Sequence, residues 1–344
     1  EGMKKALMGK YGGNPNSERA VQQALAWLVK QQNPTTGAWN LRGPYPNGGS
    51  YDSTAAATAM ALLAFQGNGI THQKGAYKEN VRKGWDYLLS VQSRNSGVDE
   101  GLFYMDDGGH THRYYSHGQG LIAVCELYAM TRDPKFRIPA ENAVKAALAA
   151  QSTYGGWRYQ PKADSDTSVT GWFVMGLTSA RMGGLAVPED VFDRMRDYLD
   201  KSGQDGGAQY GYQPGQSQTN VMTAEGLLCR QYLGWQQNDP RLLRGADYLL
   251  GEHMPNNGKK DVYYWYYATQ MFHHLEGDRW DRWNGVMRDQ LINSQTGSGN
   301  DAGSWSPAGF EWADHGGRLY VTCMCTFMLE VYYRHLPLYS GISL

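Results

Sequence analysis

Two kinds of helical segment alternate along the chain. In the first kind apolar residues recur every three or four positions, as in Ala20, Ala24, Trp27 and Leu28, with Ser17 placed to cap the start. That spacing predicts a helix with one buried face. In the second kind apolar residues cover nearly the whole circumference, at 55–65, 118–130, 169–182, 221–233, 262–275 and 319–336. Helices of that kind are enclosed on all sides. No segment with a two-residue period competes.

The alternation belongs to a repeat. Its second copy reads Lys83, Gly84, Tyr87, Leu88 and Gln92, then Gly101 and Phe103 after a loop. The first has Gln32, Gly37 and Trp39, and the third has Ala143, Gln151, Gly155 and Trp157. The fourth keeps Tyr198, Leu199, Gly207 and Tyr210. The fifth keeps Arg244, Gly245, Tyr248 and Leu249 with His253 where Gln stood, and the sixth keeps Leu291, Gln295, Gly303 and Trp305. Six half-buried helices alternating with six enclosed ones predict an all-α chain, an α6/α6 toroid of about twelve helices around a central cavity. Residues 1–16 are expected as an N-terminal arm and 17–344 as one domain, because the repeats cannot bury their inner faces separately.

Composition sharpens this picture. The chain carries 43 glycines in 344 residues, nearly twice the average usage of about 7%, and the repeated turns account for much of the excess. Tyr and Trp number 24 and 11 against 8 Phe, which favours surfaces that stack and hydrogen-bond together over a purely hydrocarbon pocket. A net charge of -1 offers no field for nucleic acid. The apolar stretches fall short of the ~18–20 residues that span a bilayer. Cys125, Cys229, Cys323 and Cys325 sit in helix-like apolar segments and read as small buried hydrophobes. The start at Glu1 shows no secretory leader pattern, so the compartment stays unknown and partner domains in a longer chain are expected to be possible.

The Lys-Gly-x-x-Tyr-Leu-x-x-x-Gln element and the Gly-x-Trp turn resemble the QW repeats of squalene-hopene cyclases and other terpene cyclases, and the same toroid occurs in protein prenyltransferase β subunits. The resemblance runs from about Ser17 to Leu338. It implies that most of the Gln and Trp residues tie helix ends to turns. It also allows the catalytic sets to be compared. The Asp-x-Asp-Asp-Thr motif of alkene-protonating cyclases aligns with Ala163-Asp164-Ser165-Asp166-Thr167, where Ser165 takes the proton donor's place and Asp164 is the remaining acid. In the prenyltransferase zinc site Asp261 is retained, whereas Tyr263 and Val321 replace the Cys and His ligands. Valine supplies no donor atom, so neither a metal nor any other cofactor is expected. The Cys-Gly-Glu-Gln sequence of thioester toroids does not occur.

If all inner helices begin at one end, the residues just before them gather on one rim: Asp52, His117, Asp164, Asp166, Asp261 and the stretch Asp314 to Arg318. Asp164, Asp166, His117 and Asp261 are the candidate acid–base groups. The competing reading of Asp52, Asp166 and Asp261 is the helix N-cap. Asp106, Asp107, His110, His112 and His117 form one polar cluster, and Glu311, Asp314, His315, Arg318 and Tyr320 a second. On the fifth enclosed helix, Tyr263, Tyr266, Tyr267, Gln270 and His274 share one stripe. Asp52, His112, Trp157, Tyr263, Trp265, Tyr267, His315, Arg318 and Tyr320 are the candidate ligand contacts. Three functions follow as expectations: a cyclase-like toroid holding a small-molecule, possibly isoprenoid, ligand in its cavity; a toroid enzyme acting on glycans; and an interaction scaffold.

Overall fold

The computed structural model describes residues 2–104, 110–335, 338 and 339. Among them are thirteen α-helices and one two-residue strand pair, Gly203–Gln204 with Gln209–Tyr210. The six enclosed segments form the inner helices α3 (Thr54–Gly67), α5 (Arg113–Thr131), α7 (Thr167–Met182), α9 (Asn220–Tyr232), α11 (Val262–Leu275) and α13 (Ala313–Arg334). Each packs on the next, and α13 packs on α3, which closes the ring. The outer helices are α2 (Pro15–Gln31), α4 (Lys78–Val91), α6 (Arg137–Ala150), α8 (Glu189–Ser202), α10 (Pro240–Glu252) and α12 (Gly277–Ser294). Each outer helix lies mainly on the inner helix that precedes it in sequence, so α2 lies on α13. The chain is an α/α toroid.

The turns are built by one recurring set of bonds. The Gln32 side-chain amide donates to Gly37 O and to Asn80 O at the start of α4. Gln92 and Gln151 do the same for Gly101 with Pro139 and for Gly155 with Val191. Trp39, Trp157 and Trp305 each donate their indole N–H to a carbonyl of the outer helix before them. The backbone N–H of the turn aromatic is taken by the inner helix: Thr58 accepts from Trp39, Thr170 from Trp157, Thr223 from Tyr210 and Thr322 from Trp305. A buried turn thereby loses no backbone hydrogen bond. The turn glycine is required on two counts at Gly37, where φ is 84° and an added Cβ would lie 2.5 Å from the Lys83 carbonyl oxygen.

Several boundaries differ from the sequence expectation. Asn14 caps α2, and Ser17 sits one turn in, completing a capping box in front of Pro15. The inner helix α5 starts five residues before its apolar stretch, because its first turn faces the polar mouth of the ring; in α13 a first turn from Ala313 is broken at Gly317 (φ 69°), and the helix proper continues from Arg318, next to the expected start of its apolar stretch. The preceding segment holds a further helix, α1 (Gly2–Lys10), packed on α13. From it, Tyr11 O accepts from the Trp280 indole and the Tyr11 ring meets His273 near the C-terminal end of α11. The beginning of the chain and the end of α13 therefore share the face opposite the mouth.

Candidate functional site

The N-terminal ends of the inner helices meet at the mouth. Ser53 Oγ lies 3.4 Å from Ser116 Oγ, Tyr115 OH lies 2.8 Å from Ser168 Oγ, and Ser168 Oγ lies 2.9 Å from Tyr263 OH. On one side of the mouth, three rings are near-parallel. Tyr51 stacks on His315 at 4.6 Å and 16°, and His315 stacks on Trp312 at 6.4 Å and 12°. His112 also packs against Tyr51, with its ring tilted. The loops that carry these rings are stitched by Ser50 N–H to Asp314 O and Tyr51 N–H to His315 O. Trp312 is 72% exposed and holds a left-handed backbone (φ 59°), an unusual conformation for a bulky residue. Burial, then the neighbouring His315, pushes the His112 imidazole down to about 4, so it is neutral at pH 7.

Beside Trp312 the rim opens into a cleft of about 370 Å³ lined by Asn220, Glu252, His253, Asp261, Trp265 and Glu311, among others. The cleft lies at the fifth repeat. There His253 replaces Gln and bonds sideways to Tyr248 OH at 3.0 Å, and the link to α11 carries no aromatic to cover the turn. The buried Trp265 from the first turn of α11 forms part of the cleft wall instead. Asp261 caps α11, its Oδ1 accepting from the N–H groups of Tyr263 and Tyr264. Among the described residues no hydrogen-bond donor reaches its Oδ2. The side chain is buried, and burial, opposed by the capping bonds and helped by Glu311, pushes its carboxyl up to about 6.

Below the mouth the inner helices pack side chain against side chain, the stripe of α11 among them. Trp172 from α7 contacts Tyr263, Tyr266 and Tyr267, with Tyr266 stacked at 5.7 Å. Its indole N–H donates to Tyr263 OH at 2.9 Å. Glu225 of α9 stands in the same wall. It is fully buried, neither carboxyl oxygen has a partner within hydrogen-bonding geometry, and it occupies the space a side chain on Gly171 would need. Burial pushes its pKa well above the ordinary carboxylate range, against a favourable influence of the Tyr267 hydroxyl, so burial favours the neutral acid. Tyr320 of α13 is near enough to feel both Asp261 and Glu225. At the far end Arg334 closes the floor, bonded to Glu126 at 3.0 Å and lying 3.4 Å from Glu330.

The remaining sequence candidates are divided between mouth and wall. Asp164 and Asp166 are brought together by Arg158, at 2.9 and 3.3 Å. Asp166 caps α7 through Val169 N–H and accepts from Tyr212 OH, and burial raises it to about 6. Ser165 stitches a turn, bonding to Ser152 Oγ at 2.6 Å and accepting from Gly156 N–H. Asp52 accepts from Asn40 at the rim, while Ser53 caps α3 in its place. His117 is not on the rim. The earlier start of α5 carries it into the wall, where Nδ1 accepts from Phe103 N–H and Nε2 donates to Ala143 O. It takes the place that Thr holds in four other repeats, and neither nitrogen is free for a ligand. Trp157 is likewise spent in its turn. Arg318 is buried and ties Pro46, Asn47 and Ser304 together. Asp106 and Asp107 fall outside the described residues. Among the described residues no three His, Cys, Asp or Glu side chains form a metal cage.

Three participants escaped the sequence reading. Glu225 was legible as the one acid in its apolar helix, Tyr51 as an aromatic preceding a helix start, and Trp312 as the aromatic next to Glu311.

No family model matches the chain, and no curated protein sequence matches it. Solved structures do. The α-1,6-mannanase GH76A of Salegentibacter sp. HEL1_6 superposes with a TM-score of 0.61 at 9% identity, over 92% of this chain and 98% of that one. The type II terpene cyclase MstE from Scytonema, in complex with geranylgeranyl dihydroxybenzoate, gives 0.60 at 13% identity, over 93% and 97%. A novel alpha-amylase from Clostridium perfringens gives 0.60 at 11%, over 91% and 98%. At such identities the likeness is one of fold.

Proposed function

We propose that this toroid binds a glycan across its mouth and that Asp261 is the acid–base group presented to it. The observation that carries this reading is the near-parallel series Trp312, His315 and Tyr51 beside the Asp261 cleft. Sugar rings present flat C–H faces to aromatic rings and hydroxyls to the polar groups around them, a match for rings with a polar edge. A carboxyl with a pKa of about 6 is suited to holding and releasing a proton near neutral pH. The mannanase and amylase among the structural neighbours support glycan chemistry on this architecture, although fold alone does not assign it.

The isoprenoid reading has its own support in the cyclase neighbour and in apolar side chains of the inner helices, such as Met175 and Phe327. The hydroxyls of Tyr115, Ser168 and Tyr263 gathered at the mouth favour a polar ligand more. Binding to a panel of soluble and insoluble polysaccharides, together with release of reducing ends, tests the proposal. Retention by at least one polysaccharide, weakened tenfold or more by Trp312→Ala, is expected. Unchanged binding in that variant, or tight extraction of a prenyl lipid with the purified protein and no glycan binding, overturns it.

A further inference from the structure

The charge inside the rim cleft narrows the ligand further. Four charged side chains line it: Glu252, Asp261, Glu311 and Lys259. Lys259 is bonded to Glu311 at 2.7 Å, so these two offset one another. Glu252 and Asp261 have no ion-pair partner among the described residues. His253 adds no compensating charge, because burial holds its imidazole below the ordinary value. A polar floor is present as well. Asp261 is only 6% exposed and lines the cleft, its Oδ1 committed to the helix cap and its Oδ2 without a donor. Oδ2 is not sealed away from the cleft, so it is open to a donor that enters there. The neighbouring Trp265, edge-on to Phe310, makes that floor stiff and partly apolar.

We propose that this cleft receives a protonated amine, and that the glycan bound at the mouth carries a free amino group on one of its sugars. The inference rests on the glycan reading of the mouth and adds its chemical class. Amino sugars fit both halves of the site: the pyranose ring for the Trp312 series, the ammonium group for Asp261 and Glu252. Acidic polysaccharides are disfavoured by the same two carboxylates. The groups facing Asp261 are Glu311, Glu252, Lys259, His253, Tyr264 and the Tyr320 hydroxyl of α13. None of them supplies a positive charge not already paired. An ammonium group at Asp261 favours the ionised carboxylate, so binding releases a proton at pH values below the pKa of the free site. Affinity for an amine that stays protonated therefore rises as pH increases through about 6.

Isothermal titration with glucosamine oligomers, with their N-acetylated counterparts of equal length, and with oligogalacturonate tests this. At about pH 7 the free-amine oligomer is expected to bind at least tenfold more tightly than the acetylated one, with oligogalacturonate weakest. Asp261→Asn keeps a competent helix cap and should erase the preference for the free amine. Glu252→Gln should reduce the preference in part, without touching the cap. Equal binding of free-amine and acetylated oligomers, or a preference that survives Asp261→Asn, overturns the amine site and leaves the glycan reading standing. If no oligomer of any charge binds, it is the glycan reading that falls, and the amine site with it.

Discussion

The side-chain amide of Gln295 donates to the carbonyl of Ala20 at 2.8 Å, joining the last repeat to the first. Its second bond, to Gly303 O, closes its own turn. The seam of the ring is thus made by the same pair of bonds as the turns at Gln32, Gln92 and Gln151. Gln295→Ala leaves two buried carbonyls short of a donor and should cost about 1–3 kcal/mol, comparable to Gln92→Ala. Chemical denaturation gives the magnitude. Hydrogen exchange should separate the two variants, with faster exchange confined to α2 and α12 in the first and to α4 and α6 in the second.

His117 should behave as a structural residue with an acid-sensitive signature. Burial lowers its pKa from 6.5 to about 4, so the folded state prefers the neutral ring. The stability it contributes is fully present above about 6.5 and is lost as pH falls toward 4, at about 1.4 kcal/mol per unit. His117→Ala should destabilise the protein by about 2–3 kcal/mol at neutral pH, since Phe103 N–H loses its acceptor. His117→Thr should recover part of that loss and flatten the acid limb of the stability profile. Thermal melts from about pH 4 to 8 read both effects, and an unchanged acid limb in the Thr variant would count against the assignment.

Glu225 has the opposite sign. A carboxyl whose folded pKa is raised contributes stability below the ordinary value of 4.5 and loses it as pH rises toward the folded pKa. Glu225→Gln should match the wild type at about pH 4 and become progressively more stable than it as pH rises. A protonated-carboxyl band in the infrared difference spectrum of the wild type, absent from the variant, gives independent evidence for the same state.

Trp312 holds a backbone conformation that glycine adopts freely. Trp312→Gly is therefore expected to leave stability unchanged or to raise it by up to about 1 kcal/mol, while polysaccharide retention drops as in the Ala variant. A gain in stability coupled to a loss of binding would show that the strained tryptophan serves recognition. Loss of both would mean that it serves the fold.

The ring was readable because its signals recur. A helix apolar on all faces, a Gln and a glycine turn appear often enough for each copy to support the others, and the repeated Thr–aromatic bonds give that pattern its physical basis. The mouth was harder to read. The start of α5 was hidden because Tyr114, Tyr115 and His117 look like a polar loop when the apolar stretch is taken as the helix, so His117 was expected five residues too close to the rim. Asp166 and Asp261 do cap their helices, but nothing in their sequence distinguishes the cap that borders a cleft from the one held by Arg158. The cleft lies at the fifth repeat, where the link from His253 to Asp261 has no turn aromatic, and such a gap stands out only beside the filled turns of the other repeats. Glu225 was overlooked because a single acid barely alters the hydrophobic character of its helix.

The helix α1 and the C-terminal end of α13 lie together on the face away from the mouth. A surface linkage made through side chains of α1 or of the last turn of α13 would lie behind the ring, and the open rim would point outward from the support. Immobilised through that face, the toroid would present Trp312 and the Asp261 cleft to an insoluble polymer as it does to a dissolved one.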